Sequence, residues 1–261
     1  MQRRPFLLAS SAALLGTLGT AGSARAAAAA GPRHYAVLSL VGASIDVVTF
    51  VYQTGSAIDT NRHQPTPVPQ AGFDRIAGRA LLEGIKRLDP TAKSDLLEAE
   101  LPELRNHQAD LFIDGSLRLP KEDAADIASG GTTHLLLVTE ASNEIRVPEA
   151  SGHSGKGKVK GLGLYIDRVT PVHWEEERTD SVGYLAPYAY LRVSLVDTAT
   201  WKVLASDLVM DVRPFPALDP AQHDDPWLAL TPEAKISTLG DMLKQAVDQA
   251  MPKVLAPVLQ G

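Results

Sequence analysis

The segment Gly152-His153-Ser154-Gly155-Lys156-Gly157-Lys158 comes nearest, in this 261-residue chain, to a known chemical motif. A phosphate-binding loop has the pattern G-x-x-x-x-G-K followed by Ser or Thr, whose hydroxyl binds the magnesium ion. Val159 stands at that hydroxyl position, and Lys156 replaces the second glycine of the G-x-S-x-G pattern of hydrolases. We therefore interpret residues 143–160 as a mobile, glycine-rich surface loop, and we predict no cofactor.

Aromatic side chains concentrate after this loop, at Tyr165, Trp174, Tyr184, Tyr188 and Tyr190. Tyrosine and tryptophan often anchor binding surfaces, whereas packing inside a sheet is the alternative explanation. Asp167 and the run 175–177 of three glutamates supply carboxylates for acid–base chemistry, which a solvated acidic turn explains equally well. We assign no catalytic residue. The candidates for a ligand site are Tyr165, Asp167, Trp174 and Tyr188.

Metal-binding patterns are weak in this sequence. The seven histidines form neither H-x-H nor H-E-x-x-H. His223-Asp224-Asp225, with Asp219, offers ligands for a hard cation, but an acidic turn before a helix is commoner. We therefore predict no metal site. A polar cluster, formed by Asp59, Asn61, Arg62 and His63, is a further candidate patch without a specific chemistry.

The amino-terminal residues have the features of a secretory signal peptide, which we assign to residues 1–26. Arg3 and Arg4 precede a small, apolar stretch, and Ala24-Arg25-Ala26 offers a cleavage site near Ala26. Arg3-Arg4-Pro5-Phe6-Leu7 also resembles the twin-arginine export signal, and an ordinary Sec signal is the alternative. We expect a periplasmic protein with a flexible tail over residues 27–34.

Composition narrows the possible partners. The chain carries 25 basic and 31 acidic residues, so that neither nucleic acid nor an anionic membrane is an expected partner. Cysteine is absent, which argues against disulfides, thiol nucleophiles and a cysteine-linked lipid anchor. No later stretch reaches the ~18 apolar residues of a membrane span. Together with the export signal, these features make an envelope protein a candidate partner.

The hydrophobic pattern predicts an α/β (α+β) fold for a single domain over residues 35–261, with a mixed sheet and packed helices. Helices are predicted at 73–88 and 121–129, and a strand buried on both faces at 132–139. Residues 188–209 indicate a long β-hairpin, and Gly42-Ala43-Ser44-Ile45 suggests a hairpin between two early strands. Residues 59–72, with three prolines, are predicted to be a partly extended loop rather than a strand.

The final element is predicted to be an amphipathic helix. Thr231 is a suitable N-cap, Pro232 suits the first helical position and Glu233 favours the positive end of the helix dipole. Pro252 is expected to end or kink this helix.

Three segments resemble a family of bacterial envelope modules that includes CsgG, the N-terminal domain of TolB and lipoproteins of the LpoB type. The similar segments are 124–139, 193–203 and 231–251. Trp201 stands where the family usually has glycine, residues 143–178 have no counterpart, and the missing cysteine differs from the lipoprotein members. The resemblance implies a role in envelope assembly or interaction.

These observations favour a soluble, periplasmic, non-catalytic interaction module of the cell envelope. The alternative is a periplasmic hydrolase or small-ligand-binding protein, whose site would lie near the glycine-rich segment 152–163 and the tyrosine cluster.

Overall fold

The computed structural model describes residues 32–52, 59–97, 102–149, 152–174, 179–216 and 225–260. The predicted signal peptide and most of the predicted tail therefore lie outside the described residues. In the described part the α-helices are α1 (Phe73–Leu88), α2 (Pro102–Asn106), α3 (Lys121–Ser129) and α4 (Pro232–Leu259). The strands are β1 (His34–Ser39), β2 (Ser44–Thr49), β3 (Arg62–Pro67), β4 (Lys93–Leu97), β5 (Phe112–Ile113), β6 (Ser116–Leu117), β7 (His134–Glu140), β8 (Ser142–Glu144), β9 (Val147–Glu149), β10 (Gly152–Ser154), β11 (Lys158–Trp174), β12 (Thr179–Asp197), β13 (Val203–Val212) and β14 (Phe215–Pro216).

Strand β12 joins two halves of one mixed sheet. Tyr190 lies between Gly161 of β11 and Met210 of β13, and the next residue, Leu191, lies between Glu140 of β7 and Val209 of β13. Strands β11 and β7 therefore follow each other along one edge of β12, and β13 runs along the other. The β11 half-sheet has the order β3-β2-β11, and the β7 half-sheet has the order β4-β1-β7. The mixed sheet confirms the predicted α+β class.

Helices α1 and α4 pack side by side on one face of this sheet, which we call the helix face. In α1 the apolar residues repeat at helical spacing, and Phe73, Leu81 and Ile85 are almost completely buried. Burial of each such large side chain stabilises the fold by about 1.5–3 kcal/mol. A Cβ on Gly84 would lie 2.8 Å from the Met251 side chain of α4, so glycine allows the two helices to approach closely.

Two separate segments pack on the opposite face of the sheet. Residues 102–129, which include α2 and α3, cover the β7 half-sheet, where Leu135 and Leu137 are completely buried. Strands β8, β9 and β10 and the following turn, described over residues 142–149 and 152–158, lie over the β11 half-sheet, and we call these residues the cover. The predicted helices at 73–88 and 121–129, the buried strand β7 and the β12–β13 hairpin are confirmed.

Three predictions are wrong. Strands β1 and β2 do not form a hairpin, because β1 pairs in parallel with β4 and β7 while β2 pairs with β3 and β11. Residues 62–67 form strand β3 despite two prolines, as an outer strand requires only one hydrogen-bonded edge. Residues 143–160 contain strands rather than only a loop, since the cover packs on buried tyrosines.

Helix α4 begins as predicted but does not end at Pro252. The Thr231 hydroxyl accepts a hydrogen bond from the Ala234 N–H, which caps the first turn. The helix continues past Pro252 to Leu259, with Val254 and Leu255 completely buried. Packing of these two side chains outweighs the local cost of proline. In the described part of the chain no helix is long and apolar enough to cross a membrane.

Candidate functional site

The tyrosine cluster lies inside the protein, between the β11 half-sheet and the cover. Alternating residues of β11 and β12 place Tyr165, Tyr184, Tyr188 and Tyr190 on the same side of the sheet, and each is at most 1% exposed. The Tyr165 and Tyr184 rings stack with centroids 6.3 Å apart. A ligand could reach these rings only if the cover moved away.

Hydroxyl groups of the cluster bind the cover directly. The Tyr165 hydroxyl donates to the Lys156 carbonyl over 3.2 Å and accepts from the Lys156 N–H over 3.1 Å. The Tyr184 hydroxyl lies 3.0 Å from Ser154 Oγ, and the Tyr190 hydroxyl donates to the Glu144 carbonyl. Burial raises the pKa of Tyr165 and Tyr184 well above the ordinary value, so both stay protonated. These hydrogen bonds attach the cover to the β11 half-sheet.

Asp167 has a structural role in β11. Its side chain is 1% exposed, and it accepts hydrogen bonds from the Val169 N–H, the Thr170 N–H and the Thr170 hydroxyl. The register of β11 against β12 shifts between Asp167 and Pro171, so this carboxylate holds the backbone of a bulge. All three hydrogen bonds are local, as in an Asx turn. The backbone of Trp174 lies at the end of β11, and its side chain is outside the described part.

The predicted polar cluster fastens the glycine-rich turn. Asp59 accepts a hydrogen bond from the Lys158 N–H over 2.7 Å, and the Asn61 amide donates to the Lys156 carbonyl over 2.6 Å. Gly157 has a φ of 92°, and a Cβ there would overlap both side chains. His63 lies 2.6 Å from Asp46 instead, and Arg62 is exposed at the start of β3. The turn leads into strand β11, whereas a phosphate loop leads into a helix.

Other sequence candidates are not brought together. Residues 175–177, His223, Asp224 and Asp219 lie outside the described residues, and Asp225 caps a short 3-10 turn at Pro226–Ala229 by accepting from the Trp227 N–H. Within the described ranges no group of three or more His, Asp or Glu side chains is arranged to hold a metal ion.

Strand β13 presents an apolar row on the face opposite the helices. Leu204, Leu208 and Met210 are 41%, 41% and 46% exposed, and the exposed Ser206 occupies the alternate position between Leu204 and Leu208. The Val203 N–H donates to the Gly115 carbonyl, but from residue 204 onward β13 pairs only with β12 among the described strands. We call these three side chains the β13 row. Large apolar side chains beside a free strand edge are typical of a surface that binds another chain.

A cleft opens on the helix face, where the β11 half-sheet extends beyond the start of α4. Its volume is 510 Å³. Its apolar walls are formed mainly by Ile45, Val47, Leu164, Ile166, Trp227 and Ile236. Arg168 and Lys235 also line it, and Lys235 is only 4% exposed.

Sequence reasoning missed both surfaces. Leu204, Leu208 and Met210 alternate with Ala205, Val209 and Asp211, a pattern that indicates the strand but leaves open which face is exposed. Lys235 offered a clearer signal, because a lysine in the first turn faces the positive end of the helix dipole. This electrostatically unfavourable position could have identified Lys235 as a candidate binding residue.

Comparison with known proteins adds little. No protein-family model and no curated protein matches the sequence. Solved structures that match this chain include the following three. A DUF330-family protein from Xanthomonas campestris is 8% identical, with a TM-score of 0.35 and coverage of 88% of this chain and 86% of that one. PelC from Paraburkholderia phytofirmans, solved as a dodecamer, is 12% identical, with a TM-score of 0.31 and coverage of 87% of both chains. A hypothetical protein from Chlamydia trachomatis is 11% identical, with a TM-score of 0.34 and coverage of 88% and 96%. These values carry no argument about function.

Proposed function

We propose that this protein is a non-catalytic interaction module of the bacterial cell envelope, working in the periplasm after its signal peptide is removed. The β13 row carries the proposal. It places three large apolar side chains in water beside a strand edge that is free over residues 204–212 within the described part. An extended segment of an envelope protein would hydrogen-bond to this edge and cover the row.

The structural roles of two predicted site residues support the same proposal. Tyr165 uses its hydroxyl to hold the cover, and Asp167 uses its carboxylate to hold a bulge. Neither is available for acid–base chemistry without disrupting local structure. The periplasmic location rests on the signal-peptide features, and the resemblance to the CsgG, TolB and LpoB modules agrees with an envelope role.

A substitution in the β13 row tests the proposal. Leu208→Lys puts a charge in the middle of the row, whereas Leu259→Lys makes the same change at another exposed leucine, on the last turn of α4. Cells producing each tagged variant are treated with a short chemical cross-linker, and the tagged protein is purified from the envelope fraction. We expect the partner band to be lost with Leu208→Lys and retained with Leu259→Lys. Retention of every band in the Leu208→Lys variant would contradict the proposal.

A further inference from the structure

The Lys235 side chain is a buried cation without a matching anion. Its ammonium donates to the Leu230 carbonyl over 2.6 Å and lies 4.1 Å from the centre of the Trp227 ring. It forms no ion pair with a carboxylate of the described residues, and Asp225 and Glu233 act on it only at longer range. Burial lowers the pKa of Lys235. An unpaired buried charge is costly, so its retention at this position needs a reason.

The charge of the cleft is of one sign. Arg168 and Lys235 both line it, and within the described part no Asp or Glu does. Among the described residues, the only carboxylate bound to either cation is that of Asp225, which lies 3.1 Å from Arg168 and also accepts from the Trp227 N–H. Asp225 therefore balances the charge of Arg168 and holds the 3-10 turn, and Lys235 is the cation of the cleft that no described carboxylate binds.

Most of the remaining lining of the cleft is apolar, and Thr49, Gln64, Thr66 and Gln70 are its uncharged polar residues. Val47 and Ile45 of β2 and Leu164 and Ile166 of β11 form its floor, and Ile236 of α4 lies among its lining residues. A volume of 510 Å³ is within the range of small-molecule sites, about 300–1,000 Å³. Apolar walls select a hydrocarbon chain, and the lysine selects a negative group at one end of it.

We infer that this cleft binds a single-chain amphipathic anion, with the anionic head at Lys235 and the aliphatic chain along β2 and β11. The head would accept a hydrogen bond from the Lys235 ammonium, and Arg168, already paired with Asp225, would lie at the rim. A carboxylate or a phosphate head satisfies this chemistry, so a free fatty acid and a single-chain phospholipid are the two possible sources.

Calorimetric titration of the purified protein tests the inference, with dodecanoate and dodecyl phosphate as probes. Neutral dodecyl maltoside and acetate are the controls for charge and for chain. We expect saturable binding of one or both long-chain anions, at least tenfold weaker binding of the neutral detergent, and none of acetate. Preference for the carboxylate would point to a fatty acid, and preference for the phosphate to a phospholipid. Equal binding of the neutral detergent, or no binding of either anion, would overturn the inference.

Two lysine variants localise the binding. Lys235→Gln should weaken binding of the long-chain anion roughly ten- to a hundredfold, as expected for loss of a hydrogen bond to a charged group. Lys253→Gln makes the same change at an exposed lysine of the same helix and should leave binding unchanged. Equal weakening in both variants, or in neither, would contradict a head group at Lys235.

Thermal unfolding separates a binding lysine from a structural one. If Lys235 is retained for an anion, Lys235→Met should keep or raise the melting temperature of the unliganded protein while abolishing binding, since it removes an uncompensated buried charge. A lower melting temperature with unchanged affinity for the long-chain anion would show that Lys235 only fastens the Leu230 carbonyl, and would overturn the inference.

Discussion

At the residue scale, single polar side chains fix the backbone where the sheet changes direction or ends. Asp167 holds the β11 bulge through three local hydrogen bonds, and Asp59 and Asn61 hold the glycine-rich turn. The Asx turn is formed by Asp167 and the Val169 N–H, two residues on, and because it is local this role was accessible from the sequence. The link between Asp59 and Lys158 was not, because 99 residues separate them.

Asp89 is the residue whose loss should be most visible in stability. Its carboxylate is 3% exposed and binds the Arg33 guanidinium, the Tyr35 hydroxyl and the Thr91 hydroxyl. The hydrogen bond from Arg33 holds the pKa of Asp89 below its usual value. We expect Asp89→Asn to lower the free energy of unfolding by about 1–3 kcal/mol at pH 7.

The effect of Asp89→Asn should depend on pH. A carboxylate with a lowered folded-state pKa stabilises the protein above the unfolded-state pKa of about 3.9, and this contribution disappears as the pH falls through the folded-state value. Urea unfolding at pH 7 and near pH 3 measures the difference. Asp95→Asn is the control, because the Asp95 side chain is 67% exposed. A difference from wild type that stays constant below pH 4 would contradict the assigned ionic role.

At the element scale, the cover is the unit whose attachment can be measured. Tyr165→Phe removes both hydrogen bonds between the Tyr165 hydroxyl and Lys156 while keeping the buried ring. Each bond contributes about 0.5–1.5 kcal/mol and two are lost, so we expect amide hydrogen exchange over residues 152–158 to accelerate roughly 5- to 150-fold. Mass spectrometry of peptides from this segment gives the rates.

Tyr188→Phe is the matched control for the cover. Tyr188 is equally buried, but its hydroxyl donates to the Asp46 carbonyl of β2. Exchange over 152–158 should stay close to the wild-type rate in this variant. Equal acceleration in both variants would mean that the cover is held by general packing of the tyrosine rings, and not by the Tyr165 hydroxyl.

The same elements explain which secondary structure was predictable. Helix α1 has a continuous apolar stripe and favourable ends, with Asp74 in the first turn and Lys86 and Arg87 in the last. Strand β3 lacks such a pattern, because its residues are mostly exposed and two are proline. It forms because β2 provides a hydrogen-bonding edge, which is a tertiary cause that local sequence does not contain.

At the scale of the whole molecule, strand β12 determines the architecture. It is 19 residues long, and its two ends serve different half-sheets. The sequence predicted the β12–β13 hairpin and the α+β class. It did not predict that β1 would pair with β7 and β2 with β11, in different half-sheets. That division also exposes the helix face of the β11 half-sheet beyond α4, where the Lys235 cleft lies. Neither the β13 row nor the Lys235 cleft could be located without the strand order.

The most direct test of the central claim is photo-crosslinking from the β13 row in living cells. A benzophenone amino acid replaces Leu208 in one strain and Leu259 in a control strain, with the amino-terminal signal intact in both. After irradiation we expect a periplasmic adduct of one discrete mass from position 208 and none from position 259. An adduct of twice the protomer mass would identify a second copy as the partner in place of another envelope protein. Absence of any adduct from position 208, with the protein present in the periplasm, would contradict an interaction role for this strand.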